Sequence, residues 1–474
     1  MKIASDKNPV MSGWLAEQGL RMDASPYLSG ALEARKLLEK LPVEKNRLRE
    51  VTTGHDGGIF NGPQFSRTYL TSPDHAVPFL GSTDMMEADF SFLPLLAKTI
   101  ANRLPYLEIQ PGMTLVSCSG TIGRMAYARP DMKGIWSSQH VMKIEPDEAV
   151  IPSGYLYTFL RSPYGVPMIA SSAYGAIIQH IEPHHIADLP VPRFADALEQ
   201  KIHKLVEEAA RLRAAYQAGV RAATEDFFKS VGLPELNDLR WHEQARDLGF
   251  EVVEVTAASL RAMNHASRAM QIKEALTSVE HSSLGQICAE GRLATGPMFK
   301  RIDSDLNHGG CLLVGQRQGW WTRPEDARVI SRASTPDDCF MADETVLVAA
   351  QGLPAEYGLF GRAILVTGSW LPYAYSQHFL RIKSSSPEVP GAYLYAFLRS
   401  EAAMRLFRSM LAGSGPQSIH ALLLTEFPIP IAPPTDRERI AETVRQAYRN
   451  RDQADKLEDE ALTLLIKAIE EAAA

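Results

Sequence analysis

Serine, glutamine and histidine stand side by side twice in this chain, at Ser138-Gln139-His140 and at Ser376-Gln377-His378. A glutamine amide carries a donor and an acceptor in one plane, an imidazole can hold one of each, and a hydroxyl serves as either. Such a set suits recognition through hydrogen bonds. Similar residues gather after two glycine-proline steps, as Gln64 and Arg67 after Gly62-Pro63 and as Lys300 and Arg301 after Gly296-Pro297. The stretch Gln316-Arg317-Gln318-Gly319-Trp320-Trp321 has the same character, and its counterpart begins Ser82-Thr83-Asp84. The loop Ser117-Cys118-Ser119-Gly120-Thr121-Ile122-Gly123-Arg124 adds hydroxyls and glycines, which let a backbone approach an anion closely. Each feature has a plainer reading. The loop is also a tight strand-to-strand turn, Ser-Gln-His a motif that orients the fold, and Trp320-Trp321 core packing.

Catalytic chemistry finds no comparable set. His180, His184 and His185 resemble a metal cluster, but the positions 238 residues later hold Ser418, Leu422 and Leu423, so no metal is expected. There is no H-E-x-x-H, no P-loop, no strand-borne G-x-G-x-x-G and no G-x-S-x-G elbow. The Asn/Asp-Pro-Pro-aromatic tetrapeptide of adenine methyltransferases is missing too. The chain reads as a binding protein without a cofactor of its own. A hydrolase built on Ser and His is disfavoured, because an active site rarely needs two copies in one chain.

These motifs belong to a repeat. The same 238 residues separate the two Ser-Gln-His triplets, Tyr155-Leu156-Tyr157 from Tyr393-Leu394-Tyr395, Phe159-Leu160-Arg161-Ser162 from Phe397-Leu398-Arg399-Ser400, and Pro190 and Pro192 from Pro428 and Pro430. Further upstream Gly62-Pro63-x-Phe65-x-Arg67 matches Gly296-Pro297-x-Phe299-x-Arg301 at 234, and Leu115-Val116 matches Leu347-Val348 at 232. The offset returns to 238 at Gly123-Arg124 and Gly361-Arg362, so the second copy gains six residues between Gly352 and Gly361. Two copies are too few for a solenoid. They suit a device that makes two related contacts at once.

The elements that must carry these residues are short. Met113–Ser117, Val141–Ile144, Val346–Ala350 and Phe379–Ile382 read as strands between Gly, Pro and Ser. Tyr155–Arg161 and Tyr393–Phe407 read as helices. Leu189-Pro190-Val191-Pro192 and Phe427-Pro428-Ile429-Pro430 then stop regular structure before a long helix begins. Apolar residues follow at Leu198, Ile202, Leu205, Ala209, Leu212 and Tyr216, and at Ile440, Val444, Ala447, Ala454, Leu457, Ala461, Leu464 and Ala468. Both helices start near an Asp, at Asp196 and Asp436. This spacing suits either an amphipathic helix on its own domain or a coiled-coil stripe. Its presence after both copies favours the two helices pairing with each other. A helix of about 34 residues would be about 50 Å long, a spacer of fixed length.

Bulk properties allow a folded protein of two to four domains, each large enough for its own core. The 474 residues are 45% apolar and 22% charged, and no apolar run reaches the roughly 18–20 residues that cross a bilayer. The N-terminus lacks the apolar core of a signal peptide, and the four scattered cysteines form no C-x-x-C pair, so a reducing cytoplasm is expected. The net charge of −7 is neutral as to nucleic acid, since phosphate contacts need only a local basic face. The stretch 436–474 holds ten acidic and seven basic residues, while 296–332 is mildly basic.

On these residues the chain resembles the DNA-specificity (S) subunit of type I restriction-modification systems. The resemblance covers nearly all of residues 20–470. It is carried by the Gly120-Thr121-Ile122-Gly123-Arg124 loop, both Ser-Gln-His triplets, the Tyr-Leu-Tyr-x-Phe-Leu-Arg-Ser helices, the proline exits, and Pro433-Pro434-Thr435-Asp436-Arg437-Glu438-Arg439-Ile440. In the second copy the Gly-Thr-Ile-Gly loop gives way to Gln351–Gly361.

The family implies an α+β fold of two tandem similar target-recognition domains. Each is followed by a long helix, and the two helices pair as an antiparallel coiled coil. The boundaries expected are 1–194 for the first domain with its lead, 195–231 for its helix, 232–434 for the second domain and 435–474 for its helix. Leu198, Ile202, Leu205, Leu212, Ile440, Val444, Leu457 and Leu464 would line the coiled coil. The DNA-binding residues implied in the first copy are Gln64, Arg67, Ser82, Thr83, Ser117, Ser119, Thr121, Arg124, Gln139, His140, Ser171, Ser172 and Tyr174. In the second they are Lys300, Arg301, Gln316, Arg317, Gln318, Gln351, Arg362, Gln377, His378, Ser414, Gln417 and Ser418. Double-stranded DNA would be the ligand, read as a bipartite asymmetric target. Two methyltransferase subunits using S-adenosylmethionine, and a restriction or translocation subunit, would be the partners. A non-catalytic protein-interaction scaffold is the alternative, and it would show no salt-dependent DNA affinity.

Overall fold

Short apolar runs closed off by glycine become strands of the same small sheet in both halves of the chain. In the computed structural model, residues 10–17, 24–173, 179–239, 261–353, 358–413 and 417–474 are described, with positions 249, 252 and 259 besides. The chain divides into two compact units, Met1–Ala214 with Gln453–Ala474, and Ala215–Asp452.

In the first unit, strands β1 (Ile59–Phe60), β2 (Thr114–Ser117), β3 (Met125–Tyr127) and β4 (Val141–Ile144) form an antiparallel sheet in the order β1-β4-β2-β3. Every residue of β2 and β4 is buried, as central strands of a covered sheet are, with Thr114, Ser117 and Lys143 among the buried side chains. A second sheet runs Tyr69–Leu70, Leu95–Ala97, Ala76–Leu80, Trp136–Ser137, with the last pair parallel. The helix Ser153–Arg161 is buried through its first eight residues. The Tyr155 hydroxyl donates to the Pro192 carbonyl at 2.5 Å.

In the second unit, β5 (Arg292–Thr295), β6 (Thr345–Ala349), β7 (Ala363–Val366) and β8 (Phe379–Lys383) pair in the order β5-β8-β6-β7, again antiparallel. The smaller sheet is Arg328–Ser331, Gly310–Val314, Ala374–Tyr375, and its last pair is again parallel. Tyr393 donates to the Pro430 carbonyl at 2.9 Å. The expected helix over Tyr393–Phe407 is two helices, Gly391–Leu398 and Glu401–Ser409. The break comes because the Ser400 hydroxyl accepts from the Ala403 backbone and starts a new helix.

The proline exits do not simply end regular structure. Pro190–Pro192 pairs with Lys45–Arg47, and Pro428–Pro430 with His281–Ser283, each as a two-stranded antiparallel ladder. Proline is tolerated there because an edge strand can turn the positions lacking N–H away from its partner.

Two long helices follow, α1 (Asp196–Ser230) and α2 (Pro434–Ala473). The Glu199 carboxylate accepts from the Phe194 backbone N–H at 2.8 Å and binds Arg193, fixing the start of α1. In the first unit Ile202, Val206 and Ala210 of α1 share a buried cluster with Ala461, Leu465 and Ile469 of α2. In the second unit the Tyr216 and Tyr448 rings meet edge-to-face at 5.2 Å, and Arg439 donates to Asp226 at 2.8 Å. Leu198, Leu205 and Leu464 are only partly buried against the first-unit cluster, and Leu212 and Leu457 are likewise half-buried. Ile202, Ile440 and Val444 are fully buried. The centre of the buried stripe on α2 runs through Ala454, Glu458, Ala461, Leu465 and Ile469, one residue past Leu457 and Leu464. Among the described residues no helix is long and apolar enough to cross a membrane.

Candidate nucleic-acid interface

The three polar motifs of each copy meet at one place. In the first unit Arg67 Nη2 donates to Gln139 Oε1 at 2.5 Å, joining the glycine-proline segment to Ser-Gln-His across 72 residues of sequence. Phe65 and Phe79 lie beneath the Arg67 guanidinium, at 5.9 and 5.2 Å from its carbon to the ring centres. Ser119 Oγ bonds His140 Nδ1 at 2.5 Å, tying the glycine loop to the same triplet. The Cys118 backbone N–H donates to the His140 carbonyl at 3.1 Å, and that of Gly120 to Gln179 at 3.4 Å.

The second unit repeats the arrangement. Arg301 Nη2 donates to Gln377 Oε1 at 3.1 Å. His378 Nδ1 bonds Gln351, which stands where Ser119 stands in the first copy. The Ala350 backbone donates to the His378 carbonyl at 3.1 Å and that of Gly352 to Gln417 at 3.4 Å. The six inserted residues therefore leave the base of the loop unchanged. Gly123 and Gly361 close it with φ of 88° and 85°, a left-handed backbone that other residues adopt only under strain.

Burial, with neighbouring cations, favours the neutral form of both histidines. Burial, followed by the nearby Arg67 and His180, lowers the His140 pKa below the ordinary imidazole value. Burial and Arg301 do the same to His378. Around the second site, Arg328 pairs with Asp303 at 2.5 Å, Arg332 with Asp337 at 2.9 Å, and Arg292 with Asp338 at 3.0 Å. The mildly basic stretch is thus partly neutralised by its own carboxylates.

The remaining sequence-derived candidates differ in exposure and in the bonds they make. Gln64, Thr121, Lys300, Arg317 and Ser418 are exposed, and Ser82, Thr83, Arg124, Gln318 and Gln417 are half-buried. Ser117, Ser119 and Arg362 are buried, with the Arg362 guanidinium over Trp320 at 5.2 Å. These three pack the free protein rather than face solvent. Gln316 is also engaged, its amide donating to the His378 carbonyl at 2.6 Å. Ser171 and Ser172 both donate to Met168, on their own helix. Trp320 and Trp321 are buried in line with the plainer reading. Tyr174 and Ser414 lie outside the described residues. Among the described residues no three His, Cys, Asp or Glu side chains are grouped so as to hold a metal.

One matched pair of residues was not singled out from the sequence. Lys143 and Arg381, 238 residues apart, are each fully buried in the strand after Ser-Gln-His. Lys143 donates to Ser137 Oγ at 2.6 Å, and Arg381 to the Tyr375 carbonyl at 3.0 Å. Arg381 Nη1 and Nε have no hydrogen-bond partner. A Cβ on Gly296 would run into the Arg381 guanidinium, which would have to shift to admit any other residue there. The signal available was a cation inside an otherwise apolar strand, present in both copies.

No protein-family model and no curated protein sequence matches the chain. Solved structures do. The chain is similar to S subunits of type I restriction-modification systems. The S subunit from M. genitalium is 13% identical, with 92% of this chain and 96% of that one covered and a TM-score of 0.38. A structure from work on complex assembly and conformational transition of the type I R-M system is 13% identical, with 91% and 98% covered and a TM-score of 0.28. The HsdS subunit from Thermoanaerobacter tengcongensis is 13% identical, with 91% and 97% covered and a TM-score of 0.27.

Proposed function

We propose that this chain is the DNA sequence-specificity subunit of a type I restriction-modification system. The observation that carries the reading is the duplicated cluster, Arg67–Gln139 with Ser119–His140 and Arg301–Gln377 with Gln351–His378. A planar amide held by a guanidinium, beside a neutral imidazole and next to exposed basic residues, suits the edges and phosphates of a duplex. Two such clusters with different neighbours suit two different half-sites. The two tandem target-recognition domains would run over 1–194 and 232–434. The helices at 195–231 and 435–474 would pair as an antiparallel coiled coil that fixes the unread gap.

In this reading the chain does no chemistry. Its partners would be two adenine methyltransferase subunits, which flip the target base and use S-adenosylmethionine, and a restriction or translocation subunit. The setting would be the cytoplasm and the role phage defence. The negative net charge fits weak DNA affinity until a partner closes on the duplex.

The experiment is methylation-sensitive long-read sequencing of DNA from cells expressing the neighbouring methyltransferase, with and without this chain. A bipartite motif methylated only in its presence is the expected result. An active methyltransferase with no such difference would move the reading to the interaction scaffold.

A further inference from the structure

Features shared by the two clusters and features that differ between them separate cleanly. Shared are the Arg–Gln pair, the pinned histidine, and a backbone bond that seats each triplet, from Ser138 to the Leu80 carbonyl at 2.9 Å and from Ser376 to the Val314 carbonyl at 3.1 Å. That bond places the turn starting at Gly81 or Gly315 directly beside Ser-Gln-His. The turn itself differs, Ser82-Thr83-Asp84 against Gln316-Arg317-Gln318.

Within the turn three of the four outer residues, Asp84, Gln316 and Gln318, serve the fold. The Asp84 carboxylate accepts from the Gly81 backbone at 2.7 Å. Gln318 occupies the matching place, its Oε1 2.9 Å from where a Cβ on Gly315 would stand. Gln316 is spent on the His378 carbonyl. In the second copy this leaves the middle position, Arg317, without such a role, and its counterpart in the first copy is Thr83, beside Ser82. Arg317 is exposed. Among the described residues neither Arg317 nor Arg67 nor Arg301 has a carboxylate within ion-pair distance, whereas Arg292, Arg328 and Arg332 each have one.

We propose that Arg67 with Gln139, and Arg301 with Gln377, grip DNA phosphates irrespective of sequence, while the middle turn position reads a base, a guanine in the case of Arg317. The inference rests on the DNA-specificity reading above. A pair present in both copies cannot tell two different half-sites apart, and the phosphate backbone is what every half-site has in common. Arg67 and Arg301 each spend one N–H on glutamine and keep the others, and the bond orients the glutamine amide N–H2 as a further donor. An arginine at a position free to vary has the bidentate geometry that matches the guanine O6 and N7.

The test uses the full chain with its methyltransferase partner, a synthetic duplex carrying the methylated motif, and a scrambled duplex. The variants are R67A, R301A and R317A, with R67K and R301K as charge-conserving controls. R67A and R301A should each weaken both duplexes by about tenfold, lower the slope of log affinity against log salt by about one, and leave the methylated motif unchanged. R317A should relax one base pair of one half-site, by about ten- to a hundredfold in discrimination, and leave the other half-site intact. A change of motif in R67A or R301A, or an unchanged salt slope in both, overturns the clamp. An unchanged motif in R317A overturns the reader. Should an alanine variant unfold, its lysine counterpart decides: retained salt slope and motif support the clamp, and a changed motif overturns it. A wild-type complex without any salt-dependent DNA binding would instead remove the specificity reading itself.

Discussion

Arg213 of α1 donates from Nη2 to Oε2 of Glu458 on α2 at 2.9 Å, across 245 residues of sequence, and to Asp455 at 3.0 Å. Both partners of the first bond are buried, Arg213 at 7% exposure and Glu458 at 4%. Burial pulls the guanidinium toward neutrality, but Glu458 and Asp455 outweigh it and hold its pKa above the ordinary value. Arg161 adds a second cation to Glu458 at 3.4 Å. A charge network in an otherwise apolar seam permits fewer alternative registers than a plain leucine stripe would.

Glu458→Ala should therefore cost about 3 kcal/mol in urea unfolding, because it takes the main counter-charge from the buried Arg213 and a partner from the half-buried Arg161. A triple replacement, Arg161→Leu, Arg213→Met and Glu458→Leu, should recover most of that loss. A single variant of wild-type stability would show that the network is solvent-screened and energetically idle.

Lys143 gives a pH dependence with a definite sign. Burial lowers its pKa from 10.5 to about 7. Between about pH 7 and 10 the unfolded chain binds a proton that the folded chain has released, so this group makes stability rise with pH across that window. Below pH 7 the folded protein carries the full cost of a buried ammonium. Lys143→Met should stabilise the protein by about 2 kcal/mol at pH 7 and remove the upward slope, read as unfolding midpoints at pH 7 and 9. Equal slopes in the two proteins would overturn this account.

His140 can be followed by its ring signals in NMR. Its midpoint should lie below the ordinary imidazole value through burial first and Arg67 second. Arg67→Ala should move it partway back up. A group whose folded pKa is depressed in this way takes its proton more readily in the unfolded chain, so stability falls as pH drops through the ordinary imidazole range. A midpoint unmoved by Arg67→Ala would mean that burial alone sets it.

On the proposed reading, exchanging residues 50–194 for the corresponding segment of a type I S subunit should alter one half-site of the methylated motif and leave the other as it was. Sequencing of methylated DNA reads the outcome directly. Alteration of both half-sites would contradict two independent readers.

The repeat, the central strands and the long helices were legible in the sequence because each depends on local chemistry. Thr114–Ser117 and Val141–Ile144 are apolar runs between turn-formers, and α1 and α2 follow an apolar spacing with no internal proline. The meeting of Gly-Pro-x-Phe-x-Arg, Ser-Gln-His and the glycine loop was not legible, since the Arg67–Gln139 bond spans 72 residues and the Arg301–Gln377 bond 76. Nothing in a local pattern says which polar atoms separated by such distances will find each other. Only the tertiary structure turned Gln316 onto the His378 carbonyl, buried Ser117 and Arg362, and set the centre of the α2 stripe at Leu465 rather than Leu464. Those outcomes depend on which neighbours exclude water from each side chain, and burial is a property of the assembled fold rather than of any stretch of chain. The residue types therefore determined what kind of contact this protein can make, and the packing decided which of them remain free to make it.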